Sequence, residues 1–293
     1  MAIEASNCIE QTNIILINKP AIVSIVGLYF NRNTHDLLGN IYNNKSVKSV
    51  PANQLGEYKY ESVQKTLDNK YVPQLILEAR KIQDEILAIN FKGQKIKIAD
   101  IGCGDGYHGA IFAPDCEAYH GFDISKEMVK KTGYRWAESG LKNAHVVECD
   151  AAKVELEPNF YDVAWSLYFT SGNFRDEFDD IDKYDDAYLD KNPKFISIIS
   201  NFYNALKQGG KLFLTVYKDN PETEAAQRQF YQDTGQSVIT PLGSRFVATK
   251  ENFWSVRWTK ESMFLNLAEC GINPEQVKFN DLNNVGWLVE IAK

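Results

Sequence analysis

The segment Asp100-Ile101-Gly102-Cys103-Gly104-Asp105-Gly106 follows a β-branched run, KIKIADIG at 95–102, and leads into a helix start. Glycines at alternate positions let a backbone turn sharply and approach a ligand without Cβ collisions. The helix beyond them offers free N–H groups to an anionic group. Twenty-one positions after Gly102, Asp123 stands near the end of a second run, AYHGFDIS. A carboxylate there can accept both hydroxyl protons of a ribose. Asp150 ends a third run, NAHVVECD, where it can accept from an adenine amino group while nearby backbone N–H groups address the ring nitrogens. Either acid alone would more readily cap a helix or turn. With the glycine turn, and at carboxyl ends of strands where open α/β sheets bind ligands, they form a site for a nucleotide-like molecule.

His108, just after the glycines, and Tyr168, after a later run YDVAWSLYF at 161–169, are the candidate bases. Each could accept or position a proton from a hydroxyl or ammonium, or simply pack over the ligand. His35, His120 and His145 fall outside the site on this reading.

The elements that must carry these residues follow from hydrophobic spacing. From Pro73, Leu75, Ala79, Ile82 and Ile86 fall on one helix face, and Gly93 lies past its end. The short β-branched runs, continuing through KLFLTVY at 211–217, alternate with helical stretches, the pattern of a parallel sheet with helical crossovers. Ser125 can cap a helix to about Ser139, Phe195–Lys207 forms another, and Thr259 can cap one ended by Gly271. The last two runs, EQVKFND and GWLVEIAK, are joined by so short a turn that they can pair only antiparallel.

In this order and register the motifs resemble those of the class I S-adenosylmethionine-dependent methyltransferases. DIGCGDG resembles the family's first motif, GFDIS its ribose-binding acid, ECDAA its adenine-binding acid, and LKQGGKLFLTV its helix-to-fifth-strand signature. The resemblance covers about residues 70–293. It implies an α/β fold: a seven-stranded, mostly parallel sheet with helices on both faces and an antiparallel C-terminal strand pair. It further implies S-adenosylmethionine (SAM) as cofactor, with Asp100, Gly102, Cys103, Gly104, Gly106, Asp123, Ile124, Asp150 and Ala151 in contact with it. Ser166, Leu167 and Tyr168, after the fourth strand, would hold its methionine portion, largely through backbone groups. The expected reaction is methyl transfer to an oxygen or nitrogen atom of a small molecule, with RNA or protein as the alternative acceptor. Gly104-Asp105-Gly106-Tyr107-His108-Gly109 also fits the G-x-G-x-x-G turn of nicotinamide-dinucleotide oxidoreductases. Asp100 ahead of the glycines, and Asp150, have no task in such a site.

The catalytic domain is expected over 61–293, with insertions at about 175–192 and 218–258 and an N-terminal appendage over 1–60. Within the appendage, residues 13–30 read as a β-hairpin and 31–59 as irregular. The appendage is free to serve a macromolecular partner or a homodimer. The 293 residues carry 32 basic and 39 acidic side chains, a net charge of −7, which supplies no broad positive face for nucleic acid or an anionic membrane. The apolar run Ala21–Phe30 is half of what a membrane-spanning helix needs. Five cysteines without a C-x-x-C pair fit neither a disulfide framework nor a zinc site, so a cytoplasmic protein with reduced thiols and no metal is expected. Residues 175–190 hold eight acids and two bases, either a lid favouring a cationic acceptor or a solvated surface. The aromatic residues Phe230, Tyr231, Phe246, Phe253, Trp254 and Trp258 either wall an acceptor pocket or pack as core.

Overall fold

The β-branched and aromatic runs become strands β1 (Lys97–Ile101), β2 (Ala118–Asp123), β3 (Ala144–Glu148), β4 (Tyr161–Ser166) and β5 (Leu206–Lys218). The computed structural model describes residues 70–178 and 180–293. The hairpin read over 13–30, the irregular segment 31–59, Cys8, His35 and Asp179 lie outside the described residues. The five strands pair in parallel in the order β3-β2-β1-β4-β5. Along β1, Ala99 and Ile101 enter the core on one side of the sheet while Ile98 enters the core on the other. A parallel sheet covered by helices on both faces buries its strands in this way. The final runs form β8 (Val277–Asp281) and β9 (Gly286–Ala292), an antiparallel pair in which β9 also runs antiparallel along β5.

Those seven strands match the expected sheet, but among the described residues the sheet has nine. Strand β5 is thirteen residues long and its pairing with β4 ends at Leu214. Its other edge is occupied by β9 up to Tyr217. On the edge that β4 vacates, Tyr217 and Lys218 pair with Arg257 and Trp258 of β7 (Trp254–Trp258), which pairs in turn with β6 (Phe246–Ala248). Residues 218–258 therefore extend the sheet instead of looping away from it.

Helices α1 (Gln74–Phe91), α2 (Tyr107–Phe112), α3 (Lys126–Glu138), α4 (Asp186–Asp190), α5 (Pro193–Ala205), α6 (Pro221–Asp233) and α7 (Lys260–Glu269) surround the sheet. The caps at Ser125 and Thr259 form as expected, their hydroxyls accepting from the N–H groups of Met128 and Ser262. Helix α5 lies two residues earlier than read, starting at Pro193 and ending at Ala205 because Leu206 already pairs with Tyr161 in the sheet. Helix α6, which the spacing of apolar residues did not announce, starts on the Asn220 cap with Pro221 in its first turn.

The buried face of α1 differs from the expected one. Ile76, Ala79, Arg80, Gln83, Leu87 and Phe91 face inward, whereas Leu75, Ile82 and Ile86 are only partly buried. The helix is rotated so that two polar side chains point inward, because their partners lie at the strand ends.

Three glycines make room for one indole. A Cβ at Gly106 would stand 2.7 Å from Trp136 Nε1, one at Gly121 would stand 2.8 Å from the same ring, and one at Gly109 would overlap it. Helical Gly→Ala ordinarily gains up to about 1 kcal/mol, so the sign of the effect is diagnostic. Gly109→Ala is expected to lower stability by about 1–3 kcal/mol, the scale of overpacking. Urea unfolding with an unchanged or raised midpoint would show that Trp136 is free to yield.

Candidate active site at the carboxyl ends of the strands

At the end of β1, Gly102, Gly104 and Gly106 take φ values of +70°, +56° and +76°, a left-handed backbone that L side chains adopt only at a cost. A Cβ at Gly104 would meet nothing within 4 Å, so the chain there borders open space. The loop is fastened on both sides. Gly102 N–H donates to Phe122 O (2.7 Å), and Gly104 N–H donates to Asp123 Oδ2 (2.9 Å). From α3, the Thr132 hydroxyl donates to Gly104 O (2.6 Å), Trp136 Nε1–H donates to Gly106 O (2.8 Å), and Arg135 pairs with Asp105. These three α3 residues were not singled out in the sequence, where they read as one turn of an amphipathic helix.

Beside the loop lies a cavity of about 390 Å³. Asp100, Gly102, Cys103 and Gly104 line it from β1 and the turn, and Leu167, Tyr168 and Phe169 from the segment after β4. Asp100 is 2% exposed and accepts from the Tyr119 hydroxyl at 2.7 Å; burial pushes its carboxyl above the usual range. Burial pushes the Cys103 thiol up as well, so this cysteine offers no ready thiolate. Tyr168 and Phe169 both have positive φ, +53° and +66°. Packing holds Phe169 in this strained form: its ring stacks on Tyr217 with centroids 3.8 Å apart, and a Cβ at Gly286 would stand 2.7 Å from it.

The far wall comes from the sheet extension. Phe230 and Tyr231 of α6, with Gln236, Phe253 and Ser255, line the cavity. Phe246, Trp254 and Trp258 join the core cluster around α5 and α7. Three of the six aromatic residues thus line the cavity, and three pack in the core.

Helix α1 supplies a third side that sequence spacing had missed. Arg80 lines the cavity with its guanidinium 4.6 Å from the centre of the Tyr168 ring. Gln83 Oε1 accepts from the Thr215 hydroxyl and from Tyr168 N–H (3.2 Å). The Tyr168 hydroxyl donates to Asp84 Oδ2 (2.6 Å), and His108 Nε2 lies 3.2 Å from Asp84 Oδ1. His108, Tyr168 and Tyr107 all line the cavity. In a one-dimensional reading, Arg80, Gln83 and Asp84 are ordinary polar positions of a surface helix.

Of the residues singled out from sequence, Asp100, Gly102, Cys103, Gly104, Leu167, His108 and Tyr168 meet at the cavity. Gly106, Asp123, Ile124, Asp150, Ala151 and Ser166 do not line it. Asp123 stays coupled to the loop through Gly104, and its Oδ1 accepts from Ser125 N–H (2.8 Å). Asp150 is engaged by Lys194 Nζ at 2.5 Å; burial would raise its carboxyl, but the Lys194 and Ala152 hydrogen bonds hold it below the usual range. Ser166 is fully buried, its Oγ without a hydrogen-bond partner among the described residues. His120 and His145 lie on β2 and β3, away from the cavity.

The described part of the acidic segment stands off the cavity. None of its described residues lines the cavity, and Glu177, Asp180, Asp182, Asp185 and Asp186 are exposed. It is fastened elsewhere: Arg175 donates to Asn252 Oδ1 (2.6 Å) and lies over the Tyr184 and Trp254 rings, and Arg245 pairs with Asp186 and Asp190. Among the described residues no helix is long and apolar enough to cross a membrane.

A family model described as a methyltransferase domain matches residues 98–183, the stretch from β1 through the segment after β4. No curated protein matches the chain. A protein of known structure from Pyrococcus horikoshii OT3 is 17% identical with a TM-score of 0.50, over 78% of this chain and 98% of its own. The 1,6-didemethyltoxoflavin-N1-methyltransferase of Burkholderia thailandensis, solved with 1,6-didemethyltoxoflavin and S-adenosylhomocysteine, is 12% identical with a TM-score of 0.49, over 84% and 92% of the two chains. Magnesium protoporphyrin IX methyltransferase from Synechocystis PCC 6803, solved with S-adenosylhomocysteine, is 14% identical with a TM-score of 0.48, over 92% and 99%. The domain match thus gives residues 98–183 as a methyltransferase domain, and with the glycine turn between β1 and α2, the acids after β2 and β3, and the antiparallel last strand, the chain has the fold expected of the class I S-adenosylmethionine-dependent methyltransferases.

Proposed function

We propose that this enzyme methylates an oxygen or nitrogen atom of a small-molecule acceptor held in the cavity between the glycine turn and the aromatic wall. The observation that carries the reading is the cavity itself: about 390 Å³ lined by Tyr107, Tyr168, Phe169, Tyr217, Phe230, Tyr231 and Phe253. That is the size and character of a small-molecule pocket, and the donor end of the cofactor must share it. The residues fit the cofactor. The open left-handed turn at Gly104 permits close backbone approach, and Asp123, already oriented by Gly104 and Ser125, keeps lone pairs for two ribose hydroxyls. Asp100, Cys103 and Leu167 would flank its methionine portion.

SAM, when bound, supplies a methyl group on a cationic sulfur. The chain's own residues then have two tasks, to align the acceptor in line with that methyl and to keep water out. The aromatic wall serves both. His108 and Tyr168 are the groups placed to receive or orient an acceptor proton. The exposed acids of 175–190 give no reason to require a cationic acceptor. On cysteine number and spacing we assign the enzyme to the cytoplasm, with residues 1–60 as an appendage open to a homodimer contact.

Screening the purified protein against amine and phenol libraries for S-adenosylhomocysteine release tests the acceptor class. Turnover confined to RNA or protein acceptors would overturn it. In isothermal titration, S-adenosylhomocysteine is expected to bind and NAD(H) not to compete; tighter NAD(H) binding would refute the cofactor assignment.

Asp123→Ala is expected to weaken S-adenosylhomocysteine binding by about 1.5–3 kcal/mol, the scale of hydrogen bonds to a charged group. Burial pushes the Asp123 carboxyl up to about 6, against the backbone hydrogen bonds that lower it. Ribose hydroxyls favour the carboxylate, so wild-type affinity should be highest above about pH 6 and decline below it. Without ligand the sign reverses. The folded state binds the proton more tightly than the unfolded chain, so this group's contribution to stability declines as pH rises from about 4 to about 6. Both trends should vanish in Asp123→Ala. Equal affinity for the two folded proteins at every pH would remove Asp123 from the site.

A further inference from the structure

We infer that Asp84 is a positioning residue which holds His108 in a single tautomer, Nε2–H toward the carboxylate, leaving Nδ1 bare to take the acceptor's proton. The inference rests on the reading of the cavity as the acceptor site. It lies outside the matched domain, since α1 precedes residue 98.

The geometry at Asp84 separates two side chains that look equivalent in sequence. The Tyr168 hydroxyl gives its proton to Asp84 Oδ2 at 2.6 Å. Desolvation and the adjoining carboxylate push the phenol far above its ordinary range, so Tyr168 stays a neutral donor and is no base. On the other oxygen, two nitrogens converge: Gln83 Nε2 at 2.9 Å and His108 Nε2 at 3.2 Å. The Gln83 amide has little choice of orientation. Its Oε1 already accepts from Thr215 and from Tyr168 N–H, which turns its NH₂ toward Asp84.

His108 Nε2 therefore faces a carboxylate oxygen and, at a longer 3.4 Å, the Gln83 nitrogen. A lone pair on Nε2 would point at an anion; a proton there makes a charge-assisted hydrogen bond instead. With Nε2 protonated, the lone pair of a neutral imidazole resides on Nδ1. The ring is held edge-on to Tyr168 and Tyr107, at centroid distances of 4.6 and 5.1 Å. His108 is buried yet lines the cavity.

As the methyl group moves, the acceptor's lone pair forms the new bond to carbon and the carbon–sulfur pair stays on sulfur. The acceptor's proton passes to His108 Nδ1. The imidazolium so formed is balanced by Asp84, which remains ionised throughout.

The test begins on the full-length protein with ¹⁵N-labelled histidine, without any acceptor, at a pH where the imidazoles are neutral. His108→Gln assigns the resonances. Long-range ¹H–¹⁵N spectra should show the wild-type His108 as the Nε2–H form, and Asp84→Ala should give a mixture of tautomers. Asp84→Asn, which keeps the side-chain volume, should also lose the single-tautomer signature, so a packing defect alone cannot account for the change. With an acceptor from the library screen, Asp84→Ala should lower kcat by about 100-fold, the scale of general-base assistance, with a much smaller change in KM. A wild-type His108 protonated on Nδ1, or a tautomer unchanged in both variants, overturns the inference. The spectra need no acceptor. A failed library screen with the expected spectra would therefore count against the acceptor reading and not against the role of Asp84.

Discussion

The arrangement depends on one backbone constraint, the left-handed turn at the end of β1, stabilised by the hydrogen bond from Gly104 N–H to the Asp123 carboxylate. Three residues with positive φ cannot hold such a path by propensity, because glycine has the most conformational freedom to lose. The path is set from outside, by Asp123 on one side and by Thr132, Arg135 and Trp136 on the other. Trp136 can reach the Gly106 carbonyl only because Gly106, Gly109 and Gly121 leave its indole room. The glycines of this region thus serve two needs, conformational freedom at Gly102 and Gly104, and close packing at Gly109 and Gly121.

From that turn outward the cavity is assembled from elements distant in sequence. Strand β5 outruns β4, and the exposed edge recruits β7 with its aromatic neighbours. The same overhang carries Tyr217, whose ring fixes Phe169 and with it the strained pair Tyr168-Phe169. Strain of this kind persists only where the surroundings over-determine the conformation. Here Gln83, Asp84 and the Phe169–Tyr217 stack do so together.

Charge is distributed in two distinct ways. Glu177, Asp180, Asp182, Asp185 and Asp186 are exposed and do not line the cavity, and water and salt screen them. Of the charged side chains that line the cavity, Asp105 and Arg135 pair with each other, while two are desolvated: Asp100 is pushed up by burial and Arg80 pushed down by it. In a low-dielectric setting a single buried ion outweighs a larger cluster at the surface. Composition alone would have assigned these two groups the opposite importance.

The sequence by itself determined the parallel sheet, its strand positions, the helix caps at Ser125 and Thr259, and the glycine turn with Asp123 close by. These depend on short-range rules: β-branched runs, capping residues, and positions that only glycine tolerates. Even the antiparallel last pair was legible, since a short connection between strands allows nothing else. Tertiary structure alone decided which aromatic residues wall the cavity, that the described acids of 175–190 stand off it, and that α1 turns Arg80 and Gln83 inward. Leu75, Ile82 and Ile86 gave the helix an apolar stripe, yet the polar partners at the strand ends drew a different face to the interior. Periodicity counts apolar residues, whereas a buried polar side chain is placed by its hydrogen-bond partner, and the partners of Gln83 and Asp84 lie about 85 residues or more further along the chain, apart from His108.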